Sequence, residues 1–267
     1  MKKLTIVAVA FAAVVLASCG GKKSANDVES ADTLKSFEQQ QIEASIKMHF
    51  DSIAAEFTKL DQPKFVQENG GGITLSKEEK QVKPDYLQDA KIADNATTLA
   101  EKYRALSVLS VDMKIASLYE MPTDDYDKAI SKLAADINDP SFKVIENNGS
   151  IFETTNALYD AMNENGRINY FWQLASAALV EQLFVASQNS DKFLSTFNDE
   201  AAENITFRIV LILDAVNRLS QYDPDIKPIS EAIAPLESLN ATTVAELKSQ
   251  LAEAKGDIEK ARKALIK

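Results

Sequence analysis

From Pro84 to the end of the chain, apolar side chains return every three or four positions with few interruptions. That is the spacing of helices burying one face, and no stretch alternates strictly as a half-buried strand would. An earlier helix starts near Asp32-Thr33, with Leu34, Phe37, Ile42, Ile46, Phe50, Ile53, Phe57 and Leu60 on its apolar side. Pro63 and the run Gly70-Gly71-Gly72 end it. The triple glycine lacks the Gly-Lys-Ser/Thr ending and the preceding strand of a phosphate loop, so it reads as a turn. Beyond it the pattern predicts a helix from Ala96 to Glu120 capped by Asn95, and one from Thr123 to about Asn138. A short segment from Asp139 to Asn147 follows. Ser150 and Glu153 form a capping box for a helix that stops before Gly166. Helices over 167–187 and 199–222, a short turn around 191–197 and a proline-punctuated stretch through Pro224, Pro228 and Pro235 come next. Thr243 and Glu246 open the last helix.

Two of these segments differ from the rest. Between 167 and 187 the face of Ile168, Trp172, Ala175, Leu179 and Leu183 is apolar, and so is the opposite face of Phe171, Leu174, Ala178 and Val185. Leu106 to Leu118 is similar. A helix that is apolar all round belongs in the middle of a bundle. The last helix carries a narrow seam of Val244, Leu247, Leu251, Ala254, Ile258, Ala261 and Leu265, in steps of three and four. Such a seam fits packing on its own bundle or pairing with a second copy, and Gly256 weakens the helix by about 1 kcal/mol relative to alanine.

The first residues are organised for export. Lys2 and Lys3 precede an apolar run from Leu4 to Leu16, followed by Ala17-Ser18-Cys19. A basic start, a short apolar stretch and small residues before the cleavage point make a secretory signal. The cysteine at that point matches a bacterial lipobox, which makes Cys19 the acylated first residue of the mature chain, palmitate being a chain of the kind attached. The run is too short for a spanning helix, which needs roughly twenty residues, whereas two or more acyl chains give stable anchoring. The expected organisation is a signal peptide over 1–18, a lipid-anchored flexible tether over 19–31 and an α-helical domain over 32–267. The tether is small and polar throughout.

Charge and composition narrow the partners. Without Lys2 and Lys3 the chain has 27 basic against 40 acidic side chains, a net charge of about −13. Such a chain repels phosphate backbones, so nucleic acid is excluded as a partner. Cys19 is the only cysteine, so neither an internal disulfide nor a cysteine metal site can form. No cofactor is implied. His49 is the only histidine and has no Glu or His at ligand spacing beside it. A helical di-metal site needs two Glu-x-x-His pairs, and no Gly-x-Ser-x-Gly elbow occurs. The expectation is no enzyme and no catalytic residues.

Two carboxylates lie inside the apolar helices. Asp112 sits in Leu109-Ser110-Val111-Asp112-Met113 and Glu181 in Leu179-Val180-Glu181-Gln182-Leu183. Burying an unpaired charge costs several kcal/mol, so each needs a cation, hydrogen-bond donors or a proton. Arg104, Lys114, Arg208 and Arg218 are the candidate partners. On one reading the carboxylates are paired plugs that set helix register. On the other they face a cavity that binds a polar or cationic ligand, with Tyr119 and Trp172 as its walls.

Several of these residues resemble a set of helical lipoproteins common in Bacteroidota. They are Lys83-Pro84-Asp85-Tyr86-Leu87, Thr97-Thr98-Leu99, Lys102-Tyr103-Arg104-Ala105-Leu106, Ser110-Val111-Asp112-Met113 and Ala178 to Val185. Asp112 and Glu181 match the motif carboxylates of that set, while Leu109, Leu179 and Phe184 replace its usual Tyr, Trp and Tyr. The resemblance covers roughly residues 84 to 188 and implies a helical fold and an envelope location, with no activity attached. It also implies candidate O-glycosylation at Thr33 and Ser52, in Asp32-Thr33-Leu34 and Asp51-Ser52-Ile53. Gly20-Gly21-Lys22-Lys23 lacks the acidic cluster that resembles a surface-export signal, which places the protein at the outer membrane, facing the periplasm.

The sequence therefore predicts an all-α protein, a single bundle of about eight helices on a lipid tether. Its expected role is that of a non-enzymatic envelope lipoprotein, attached to the membrane through Cys19, that binds a protein partner or supports an envelope assembly. The alternative is a ligand-binding lipoprotein with its pocket near Asp112 and Glu181.

Overall fold

The computed structural model describes residues 36–57, 73–146 and 151–266. The fold is all-α, with twelve α-helices and no strand among the described residues. In chain order they are α1 (Phe37–Phe57), α2 (Lys77–Gln81), α3 (Ile92–Asn95), α4 (Leu99–Leu118), α5 (Asp124–Ile137), α6 (Ile151–Glu164), α7 (Ile168–Gln188), α8 (Ser190–Phe193), α9 (Asp199–Leu219), α10 (Lys227–Ile233), α11 (Val244–Glu253) and α12 (Lys255–Leu265). Tight 3-10 segments follow α5 and α10, at Pro140–Glu146 and Ala234–Ser238.

Eight of the twelve helices have ten or more residues, and they cover the long periodic segments of the sequence, the last of which is split into α11 and α12. The short helices α8 and α10 fall at or near the short segments expected around 191–197 and 224–235, while α2 and α3, one or two turns long, are too short to show a period. Two boundaries differ from expectation. Asn95 ends α3 rather than capping α4. Thr98 caps α4 by accepting from Glu101 N at 3.2 Å, and the Glu101 carboxylate accepts from Thr97 N and Thr98 N at 2.9 Å each. Those donors, with the Thr97 hydroxyl, pull the Glu101 carboxyl down to about 2. The last helix is divided in two at Ala254, which ends α11 and begins α12 while staying buried in the core.

At the centre, α4 and α7 pack along their length, and both are buried on several faces. Leu109 and Ala116 of α4 and Val185 of α7 have no exposed surface, and each fully buried Val or Leu contributes about 1.5–3 kcal/mol. The Ser107 hydroxyl donates to Leu174 O at 2.8 Å, a polar tie between the two helices. Helix α5 packs on α4, and α6, α9, α11 and α12 pack on α7. The seam of the last helix closes within the chain: Leu247, Leu251, Ile258, Ala261 and Leu265 are all buried, against α7, α9 and α10. Helix α1 lies against α9 and α6. Among the described residues no helix is long and apolar enough to cross a membrane.

Candidate functional site: a carboxyl pair beneath the last helix

Asp112 and Glu181 have no exposed surface. The contact of α4 with α7 places them side by side, and α12 supplies their cation. Arg262 donates from Nε to Glu181 Oε2 at 2.7 Å and from Nη2 to Glu181 Oε1 at 2.7 Å, a two-pronged pairing of planar groups. Its side chain is 11% exposed and lies over the Phe184 ring at 3.8 Å from the centroid, a cation–π contact. Nη2 also donates to Tyr86 O at 3.0 Å. With the Gln88 amide turned to satisfy its neighbours, Gln88 Oε1 accepts from Nη1 and Nη2 at 3.1 Å each.

Asp112 is less well provided. Its Oδ2 accepts from Gln88 N at 2.8 Å and lies 3.9 Å from Arg262 Nη2, too far for a hydrogen bond. Its Oδ1 has no hydrogen-bond partner. Burial, and then the neighbouring Glu181 charge, push the Asp112 carboxyl up to about 9, against the opposing pull of Gln88 N–H and Arg262. Phenols surround the pair. Tyr126 OH donates to Gln88 O at 2.7 Å, and burial raises it to about 12. Tyr86 meets Phe184 edge-to-face at 5.9 Å and is held far above the usual phenol range by burial.

The structure sorts the residues singled out from sequence. Tyr119 is adjacent, hydrogen-bonded to Tyr86, and its carbonyl accepts from Lys83 Nζ. Trp172 is elsewhere. It lies nine residues before Glu181 on α7, roughly 13 Å along the axis, and its ring packs against Phe50, Tyr159 and Phe171 at 5.1–6.5 Å. The wall assigned to Trp172 is therefore corrected: it belongs to an aromatic cluster joining α1, α6 and α7. Ser52 is exposed on α1 and its hydroxyl donates to Met48 O at 2.8 Å. Cys19 and Thr33 lie outside the described residues. His49 is exposed on α1, and among the described residues no three His, Cys, Asp or Glu side chains gather as a metal ion would need.

Of the candidate cations, Arg104 turns instead to Gln173 Oε1 at 2.5 Å and Leu265 O at 2.8 Å, and Arg218 to Asp214 at 2.8 Å. The residue that sequence reasoning missed is Arg262. Its one sequence signal is that it is the only arginine in a helix whose other cations are lysines, and arginine suits a buried planar pairing where lysine does not. Tyr86 and Gln88 of the segment before α3, Asp112 of α4, Glu181 of α7 and Arg262 of α12 meet at this one place. Comparison of the chain with family models, curated proteins and solved structures finds no match in any of the three.

What the arrangement can do chemically is limited by closure. The shallow depression over Ala44, Met48 and Ser52, and the narrow apolar crevice between Leu183, Ile205 and Leu251, are not lined by either carboxylate. Both Glu181 oxygens are taken by Arg262.

Proposed function

We propose that the chain is a non-enzymatic lipoprotein of the bacterial cell envelope, held by lipid on Cys19 at the outer membrane and facing the periplasm. Its helical body binds a protein partner or supports an envelope assembly. The observation that carries the reading is the closure of the carboxyl pair. A carboxyl pair with no exposed surface, its Glu181 member held by Arg262 of α12, has no open face to offer a ligand, so the reading rests on the outer surface as the working part. That surface includes large apolar side chains on α1 (Phe37 and Met48) and on α9 (Phe207 and Val210).

The test is recovery of the full-length tagged chain from detergent-solubilised membranes. A specific protein recovered in constant ratio, and lost when Met48 and Val210 are changed to Ser, supports the reading. A chain recovered alone, whose melting temperature rises with a particular metabolite, favours the ligand-binding alternative instead. Acyl labelling of the mature chain that disappears in Cys19→Ala tests the anchor.

A further inference from the structure

We propose that Asp112, Glu181 and Arg262 form a proton-dependent latch, in which one proton held between two buried carboxyl groups keeps α12 docked on α4 and α7, and loss of that proton loosens α12.

The geometry leads there by a count of charges and donors. Two carboxyl groups without exposed surface share one guanidinium. That guanidinium is committed: Nε and Nη2 serve Glu181, and the remaining donors turn to Tyr86 O and the Gln88 amide. The Arg262 charge is therefore balanced by Glu181 alone. Asp112 is left with one backbone N–H on Oδ2 and nothing on Oδ1. An ionised Asp112 would be an uncompensated charge in a closed interior, the arrangement that folded proteins avoid. Two carboxyl groups in contact are both acceptors until one takes a proton; then the contact becomes a hydrogen bond. The proton belongs on Asp112, because Glu181 is the member paired with the cation.

The groups that face the pair do not offer a substitute. From the segment before α3 come Tyr86, Asp85 and Asp89, from α4 Tyr119, from α5 Tyr126, from α7 Glu181 and from α12 Arg262. Asp85 and Asp89 are exposed and act on the Tyr86 and Tyr126 phenols rather than on Asp112. The three phenols are all shifted upward and stay neutral over the range in which Asp112 titrates. Among the described contacts Arg262 is the one cation brought to the pair.

The sign follows from linkage. Asp112 binds its proton more tightly in the folded chain than in the unfolded one, where its ordinary value is 3.8. Its stabilising contribution is complete below about 4 and is lost progressively as pH rises to about 9. Across that window this single group raises the unfolding constant about tenfold per pH unit. Because the pair lies between α12 and the two central helices, the loss should be felt first in α12.

The experiment uses the full chain in three forms: wild type, Asp112→Asn and Glu181→Gln. Urea unfolding is followed between pH 5 and 10, and hydrogen exchange of residues 255–265 is compared between forms at the same pH. The Asn amide donates as the protonated acid does and cannot ionise, so Asp112→Asn should flatten the pH profile and protect α12 relative to wild type at pH 9.5. In Glu181→Gln the Arg262 charge becomes free to balance Asp112, and the profile should flatten as well. An Asp112→Asn chain that keeps the wild-type slope overturns the proposal. Should either variant fail to fold, wild type alone decides by infrared spectroscopy. A protonated carboxylic acid band present at pH 7 and gone above pH 9 supports the latch, and its absence at pH 7 overturns it.

Discussion

Two glycines show how much a single backbone angle decides. Gly166 follows α6 with φ +68°, and the next amide, Arg167 N, bonds back to Met162 O at 2.7 Å. This is a left-handed helix stop, which glycine enters without penalty and other residues do not. A Cβ at Gly166 would touch nothing within 4 Å, so its cost is conformational rather than steric. Gly166→Ala should lower stability by about 1 kcal/mol, a fall of roughly 2–4 °C in melting temperature for a chain of this size. Gly256, in the first turn of α12, has no positive φ and equally open surroundings. Gly256→Ala should raise stability, by up to about 1 kcal/mol. Calorimetry on the two variants checks both signs; two changes in the same direction would refute the assignment. The stop at Gly166 could be read from the sequence. The break at Ala254 could not, because the apolar seam runs through it unbroken.

At the scale of elements, α12 is held by two guanidinium groups at its end. Arg262 reaches inward from it, and Arg104 of α4 reaches out to its last carbonyl at Leu265. Removing one member of a buried ion pair typically costs about 3–5 kcal/mol, because the other charge stays buried, whereas replacing the whole group by apolar residues is often neutral. Arg262→Met should therefore destabilise by that amount. The triple variant Asp112→Leu, Glu181→Met, Arg262→Met should regain most of the loss. Urea midpoints of wild type and the two variants decide it: a triple variant no more stable than Arg262→Met would mean that packing of the Arg262 stem, not charge, is what matters. That the two carboxylates would be buried was legible from the apolar helices around them. Their partner was not, since it lies more than eighty residues after Glu181 on a helix whose face toward α7 only the fold reveals.

Across the whole molecule, α1 joins the bundle through α9, α6 and one aromatic cluster. Phe50 stacks on Tyr159 at 4.6 Å and meets Phe171 and Trp172 edge-on at 6.1 and 6.5 Å. Beside it, exposed Lys47 bridges to Asp160 at 2.7 Å. Phe50→Ala should cost about 3–5 kcal/mol, while Lys47→Ala should cost under about 1 kcal/mol, as solvent-exposed pairs do. Limited proteolysis of the Phe50→Ala chain should cut within α1 and leave α4 to α12 intact. Cleavage spread evenly over the chain would show that α1 is integral to one cooperative unit.

The sequence by itself determined the helical class, the approximate extents of the long helices and which two of them are central. It did so because a helical repeat and an all-round apolar surface are local properties, written in neighbouring residues. It also placed the two carboxylates inside apolar helices, where they would be buried. Only the tertiary structure decided that Arg262 closes over them, that Trp172 belongs to the α1 cluster, and that the final seam is covered within the chain. Each of these is a contact between segments far apart in sequence, where periodicity says that a face will be covered but not by which helix.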